Sequence, residues 1–278
     1  MQTTAAAPTV PELLDVWQSA LETVVALGAA ATDEQWQLPT PCPGWSVGDV
    51  VAHLVDIEQM MAGSPRPEHE PDWSSLPHVQ ADFGRFTEVG VDVRRAHARE
   101  DVLAELQEAI ERRRSQLDAV PEGAEVIGPF GNPTTMDRLL RIRIFDTWAH
   151  QQDIRAALGQ DDGWDTPAAA VSQEQIVRAL PYVWARTVGA PEGTTVRIEM
   201  TGPVLPRDVA VTAVADGKGV DVAPGPDATV WLTASWPDLM RLACGRVDPD
   251  EQGLRSRIVE RGDETLAAAL LPALSITP

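Results

Sequence analysis

Apolar residues recur every three or four positions between Val10 and Ala30. Leu13, Leu14, Trp17, Leu21, Val24 and Val25 carry the period, which predicts one long amphipathic helix. Asp33 to Gly44 breaks the pattern, is rich in proline and reads as a connection. A second helix is predicted from Ser46, whose side chain can cap it while Asp49, three residues on, completes a capping box. Its apolar stripe is Val47, Val50, Val51, Leu54, Ile57 and Met61, with His53 at the edge. Residues 63–78, with several prolines and Trp73, read as a long surface loop. A third helix is expected over Asp101 to Ala119, preceded by a helical stretch around Val79 to Ala98, and Gly123 to Pro133 reads as irregular. The fourth main helix starts near Thr134 or Thr135 and stops at Gly159, a natural C-terminal breaker. Four helices with long connections make a helix-bundle pattern.

After Gly159 the periodicity changes. A linking helix over Ala168 to Val188 is followed by alternating β-branched runs at Thr194 to Thr201, Arg207 to Ala215, Gly219 to Val222 and Ala228 to Thr233. Asp216-Gly217 reads as a hairpin turn. Ser235 and Pro237 open a short helix that ends at Gly245, and Asp263 to Leu271 reads as the last one. The chain is therefore expected to be α+β, with a helix bundle over residues 1–162 and a smaller α+β module over 163–278.

Composition narrows the function classes. A chain of 278 residues with 44% hydrophobic positions can bury two ordinary cores. A formal net charge of -20 opposes a nucleic-acid partner, which needs a concentrated basic footprint. The runs Arg94-Arg95 and Arg112-Arg113-Arg114 sit among acids and read as solvated faces. Met1 to Pro8 has no basic leader, and no uninterrupted apolar run approaches the ~20 residues that span a bilayer. A cytoplasmic protein with no membrane partner is the expectation. Cys42 and Cys244 are the two cysteines. Far apart in sequence, they read as buried thiols without a disulfide.

The candidate chemistry lies in the fourth helix. Asp146 and His150 are one turn apart, Asp153 follows three residues later, and Leu139 and Ile142 share the stripe of Asp146. Polar groups on such a stripe are costly to bury unless they are paired or bound to a metal. A metal reading joins His53 on the second helix to Asp146 and His150, a set that leaves coordination positions open. A structural Asp-His hydrogen bond explains the same spacing. Asp49 is a rival carboxylate, and Asp153 is either a ligand or the acceptor that orients an imidazole. About 10 Å of helix axis separates Asp153 from Asp146, which favours the second role. His69, His78 and His97 lie in loops or charged surroundings and are not expected to be ligands.

Two segments carry a resemblance. Trp36 with Pro39-Thr40-Pro41-Cys42-Pro43-Gly44-Trp45-Ser46-Val47-Gly48-Asp49-Val50-Val51-Ala52-His53-Leu54, and Phe145-Asp146-Thr147-Trp148-Ala149-His150-Gln151-Gln152-Asp153-Ile154-Arg155, resemble the signature segments of the mycothiol-dependent maleylpyruvate isomerase family. That family belongs to the DinB-like metalloenzyme superfamily. Leu232-Thr233-Ala234-Ser235 to Gly245-Arg246 and Gly262-Asp263 resemble its sterol-carrier-like C-terminal domain. The resemblance implies a DinB-like four-helix bundle, a zinc ion (or another divalent metal) held by His53, Asp146 and His150, and mycothiol as a thiol cofactor. Asp146 stands where the family commonly has Glu, so the shorter arm either draws the helix closer or weakens the metal. Arg246 matches an arginine implicated in family activity, and would bind a substrate carboxylate.

What the resemblance implies for chemistry is a metal-held thiolate that adds to an activated double bond, permits rotation and leaves, giving cis-to-trans isomerisation. With an electrophile lacking that exit, the same site performs S-transfer. The expected partners are a small-molecule thiol and an electrophilic, anionic substrate. The rival from another class is a non-catalytic small-ligand-binding or regulatory protein on the same fold.

Overall fold

In the computed structural model, which describes residues 7–129, 131–203 and 208–277, the first apolar period forms a single helix of 21 residues, α1 (Val10–Ala30). Glu12 Oε2 accepts from the Thr9 backbone amide at 2.7 Å, and Pro11 sits in the first turn where its missing N–H costs nothing. A short turn, α2 (Asp33–Trp36), leads into α3 (Val47–Met61), and α4 (Asp82–Arg94) and α5 (Arg99–Asp118) follow. A small antiparallel hairpin, β1 (Glu125–Ile127) with β2 (Pro133–Thr135), then hands the chain to α6 (Met136–Ala157). The packing divides the chain into Ala6–Asp162 and Gly163–Pro278.

In the first unit α1 lies against α6 and α5, and α3 against α5, α4 and α6. Trp17, Leu21, Val24, Val50, Val51, Leu54, Leu106, Leu139, Ile144 and Trp148 form the core, each withdrawn from water. Among the described residues one helix, α1, is long and apolar enough to cross a membrane, with a mean hydropathy of 1.2. Its apolar side is taken up by the two neighbouring helices. α3 has almost no polar face: Asp49, His53, Asp56 and Glu58 are buried together with the apolar stripe.

The second unit begins with α7 (Pro167–Tyr182), which loosens into a π turn over Val183–Thr187 just after Pro181. Proline supplies no N–H to the helical ladder, so a change of hydrogen-bond pattern there is expected. The strands are β3 (Thr195–Thr201), β4 (Val209–Ala215), β5 (Lys218–Asp221) and β6 (Val230–Ser235). They are followed by α8 (Trp236–Ala243), α9 (Gln252–Arg255), β7 (Val259–Gly262) and α10 (Glu264–Ala273). The sheet order is β5-β4-β3-β6-β7, with β3 and β6 parallel and the other pairs antiparallel. Val196, Ile198, Val230, Leu232 and Ala234 point to the core side, while Arg197, Glu199, Trp231 and Thr233 alternate to the other. Asp216 and Gly217 both have positive φ, 51° and 67°, as a type I′ hairpin turn requires.

Three features differ from the sequence expectations. The segment expected to be irregular over Gly123 to Pro133 contains β1 and the start of β2, strands of three residues that are too short to display a period. α4 falls within the helical stretch expected around Val79 to Ala98, and it makes five substantial helices where the bundle pattern was read with four. β7 and α9 carry polar, edge-type sequences that give no alternation. Most of Met1 to Pro8, and the start of the expected strand at Arg207, lie outside the described residues.

Candidate metal centre

The first turn of α3 is set by a reciprocal cap. Ser46 Oγ accepts from Asp49 N at 3.2 Å, and Ser46 N donates to Asp49 Oδ2 at 2.9 Å. Two turns further on, His53 is carried inward, 6% exposed. α6 starts on Thr135, whose Oγ1 accepts from Arg138 N, and three turns later presents Asp146 and His150.

Structure brings these three side chains to one point. His53 Nε2 is 3.6 Å from Asp146 Oδ2, and His150 Nε2 is 3.8 Å from Asp146 Oδ1. One donor atom from each of the three lies within 4.8 Å of the others. Neither His-Asp distance is a hydrogen bond, which would be about 2.7–3.2 Å. Donors bonded to a tetrahedral ion at ~2.0–2.2 Å stand about 3.3–3.6 Å apart. The spacing thus suits a shared ion better than the structural Asp-His hydrogen bond that the sequence also allowed, and two imidazoles with one carboxylate fit zinc-like divalent metals.

Two of the three candidate donors, His150 and Asp146, are hydrogen-bonded from behind. His150 Nδ1 is 3.0 Å from Asp153 Oδ2 in a buried hydrogen bond, which sets the ring so that Nε2 faces Asp146. Asp153 therefore lies on the far edge of the imidazole. Cys42 also approaches His150 and Asp153, again within 4.8 Å, as a buried thiol outside any disulfide. Cys244 is buried and outside any disulfide as well. The Trp45 indole packs against both candidate imidazoles, with centroids 5.0 Å from His53 and 5.9 Å from His150. Its Nε1 donates to Glu88 Oε2 at 2.9 Å, and Glu88 is also reached by His78 and Arg95 at 3.1 and 2.7 Å. Gly44 precedes this tryptophan with φ +80°, and a Cβ there would stand 2.2 Å from the His78 ring.

Arg143 and Glu58 were not anticipated from sequence. Arg143 Nη1 donates to Asp146 Oδ2 at 2.8 Å, and its Nε donates to Glu58 Oε1 at 2.8 Å. Glu58 is completely buried and also lies near Trp17 Nε1 and Arg113 Nε, at 3.4 and 3.6 Å. The available signal was Glu58 itself, an acid one residue past Ile57, on a helix whose apolar stripe runs through that position. These charges set the protonation of the centre. Burial works to raise the Asp146 carboxyl, but the Arg143 guanidinium and the two imidazoles outweigh it and hold Asp146 well below the usual carboxylate range. Burial pushes His53 below the usual imidazole range, against the pull of Asp146, and keeps its ring neutral as a ligand must be.

The other candidates are committed elsewhere. Asp49 holds the α3 cap and accepts from Arg95 Nε at 2.9 Å. His69 meets Asp92 at 2.6 Å, His78 meets Glu88, and His97 meets Glu105 at 3.1 Å. In the second unit Arg246 is half-buried, with Nη1 donating to the Cys244 carbonyl at 2.8 Å. Asp153→Asn is expected to weaken divalent-metal affinity about 10–100-fold by releasing the His150 ring. Competition against a metal indicator reads this directly, and unchanged affinity would show that Asp153 does not orient the ligand.

A bundle that turns two imidazoles and a carboxylate toward one point, with His150 and Asp146 braced by buried partners, is a helix-bundle protein with a candidate divalent-metal centre. Residues 17–155, half of the chain, match the mycothiol maleylpyruvate isomerase N-terminal domain, and the protein belongs to that family. Uncharacterized proteins from two strains of Mycobacterium tuberculosis are 27% identical over 135 residues, 48% of this chain and 51% of theirs. The chain thus spans about half the length of the curated relatives it matches. The crystal structure of the mycothiol-dependent maleylpyruvate isomerase aligns with 89% of this chain and 93% of its own, at 15% identity and a TM-score of 0.51. That of a histidine-to-alanine mutant gives 14% and 0.53. At these identities the likeness shows the fold, a helical N-terminal part with a C-terminal sheet domain, α+β.

Proposed function

We propose that this protein is a metal-dependent, mycothiol-using enzyme that catalyses isomerisation or thiol S-transfer, with His53, Asp146 and His150 holding zinc or another divalent ion. The observation that carries this reading is the convergence of the three donors at distances too long for hydrogen bonds and suited to a common ion. Family membership supports the choice of thiol. A bound divalent ion supplies Lewis acidity, under which a coordinated thiol loses its proton near neutral pH.

The chain's own groups would do the rest. Asp153 keeps His150 in one tautomer, and Trp45 walls one side of the two imidazoles against water. Asp146 is the most open of the three, with 30% of its side chain exposed against 7% for each histidine, so a small thiol and substrate enter on its side. Its charge is already balanced by Arg143, which leaves the charge of an ion available to an incoming anion. Arg246, in a sheet domain that we read as sterol-carrier-like, would bind a substrate carboxylate through its guanidinium fork.

The test is turnover of metal-loaded protein with maleylpyruvate, and with an electrophile that can only accept sulfur, each with mycothiol, with glutathione and with no thiol. Turnover that needs both metal and mycothiol is the expected result. A protein that takes up ion and thiol yet turns over neither substrate is a binding protein on this fold. Arg246→Ala is expected to lower activity on a carboxylated substrate at least tenfold with metal content unchanged, and lysine to restore it only in part. Full activity, or loss of the metal, would remove Arg246 from substrate binding.

A further inference from the structure

An aspartate in the donor set has one methylene fewer than a glutamate with which to reach an ion, and it must be held accordingly. Asp146 Oδ2 is occupied by Arg143 Nη1 at 2.8 Å. The same guanidinium reaches back to Glu58 Oε1, with Nε and Nη2 both at 2.8 Å. Glu58 is fully buried on α3, five residues beyond His53, while Arg143 lies on α6, three residues before Asp146. The planar fork therefore braces the two helices that carry the donors against each other, from inside the core and away from the open side of Asp146. Lysine could reach one of these carboxylates as a point charge, but it could not span both.

We propose that Arg143, anchored by Glu58, is a positioning residue that fixes the Asp146 carboxylate through Oδ2, so that one oxygen only serves a bound ion. This rests on the metal reading above. With one oxygen withheld the carboxylate binds through a single atom, the protein supplies three donors, and the remaining position stays open for an exogenous ligand. Without the clamp, both oxygens of Asp146 turn to the ion and the coordination number rises.

Cobalt(II) provides the probe, because its visible absorption is intense in four-coordinate sites and weak in five- and six-coordinate ones. Wild-type protein, Arg143→Lys and the double variant Glu58→Gln/Arg143→Met are loaded with cobalt, and folding is checked by circular dichroism. The double variant removes both charges of the Glu58–Arg143 pair together, so that Glu58 is not left as a buried carboxylate without its guanidinium. The expected result is a several-fold fall in visible absorption per bound cobalt in the folded double variant, with Arg143→Lys in between. An unchanged spectrum in a folded, cobalt-loaded double variant overturns the positioning role. If wild-type protein takes up no cobalt that His53→Ala abolishes, the metal reading itself fails, an outcome distinct from the first. Should the double variant not fold, Arg143→Lys decides alone: a wild-type spectrum in that variant overturns the clamp.

Discussion

In His53→Ala and in His150→Ala, metal retained after dialysis is expected to fall from about one equivalent per chain to background. Each substitution removes one of the three proposed protein donors, and the two that remain cannot hold an ion against a chelator. The fold should survive both changes. His53 Nδ1 has no hydrogen-bond partner among the described residues, and His150 gives up a single bond to Asp153. Elemental analysis with circular dichroism on the same samples reads both quantities. Folded variants that keep their zinc would dismiss the donor set. Acid should act in the same direction. Burial holds the His53 pKa below its ordinary ~6.5, so the unfolded chain takes up this proton at higher pH than the folded one. The metal-free protein therefore keeps the His53 contribution above pH ~6.5 and loses stability as pH falls below that value. Ion occupancy declines on the same side, because both rings must be neutral to bind.

The placement of the three donors was legible because each interrupts an apolar stripe. His53 stands beside Val50 and Ile57, and Asp146 continues the stripe of Leu139 and Ile142, so helical spacing alone turned them inward. The caps at Ser46 and Thr135 were legible for the same local reason: a serine or threonine accepting from an amide three residues on needs no tertiary information. In the second unit, the alternation of Thr195–Thr201 and Val230–Ser235 announced half-buried strands, and Asp216-Gly217 announced the turn between β4 and β5.

The layer behind the donors was not legible, because its pairs are far apart in sequence. Arg143 meets Glu58 across 85 positions and Trp45 meets Glu88 across 43. The runs Arg94-Arg95 and Arg112-Arg113-Arg114 read as solvated faces, yet Arg94 and Arg113 are buried, as are Arg141 and Arg143. Arg141 finds Asp137 one turn away, a local partner. Arg143 meets one carboxylate of its own helix, Asp146, and shares its guanidinium with Glu58, a partner that only the packing of α3 against α6 shows.

That dependence predicts the largest stability effect in the protein. Arg143→Met is expected to destabilise the first unit by about 3–5 kcal/mol, the cost of leaving one partner of a buried ion pair uncompensated. Glu58 has no route to water, and what remains to it is Arg113 at 3.6 Å and a long contact from the Trp17 indole. The methionine fills most of the vacated volume, so the loss reports charge and not a cavity. Adding Glu58→Gln should recover much of it, because a neutral amide can still accept from Trp17 and no longer needs a counter-ion. Denaturant unfolding of the four proteins in the cycle gives the coupling between the two positions, and it should be large beside the few tenths of a kcal/mol typical of independent sites. If Arg143→Met costs less than about 1 kcal/mol, or if the double variant is as unstable as the sum of the singles, the pair is not the buried brace that its distances describe. The metal-free protein is the right material for this measurement, since a bound ion would stabilise the native state by mass action and mask the loss.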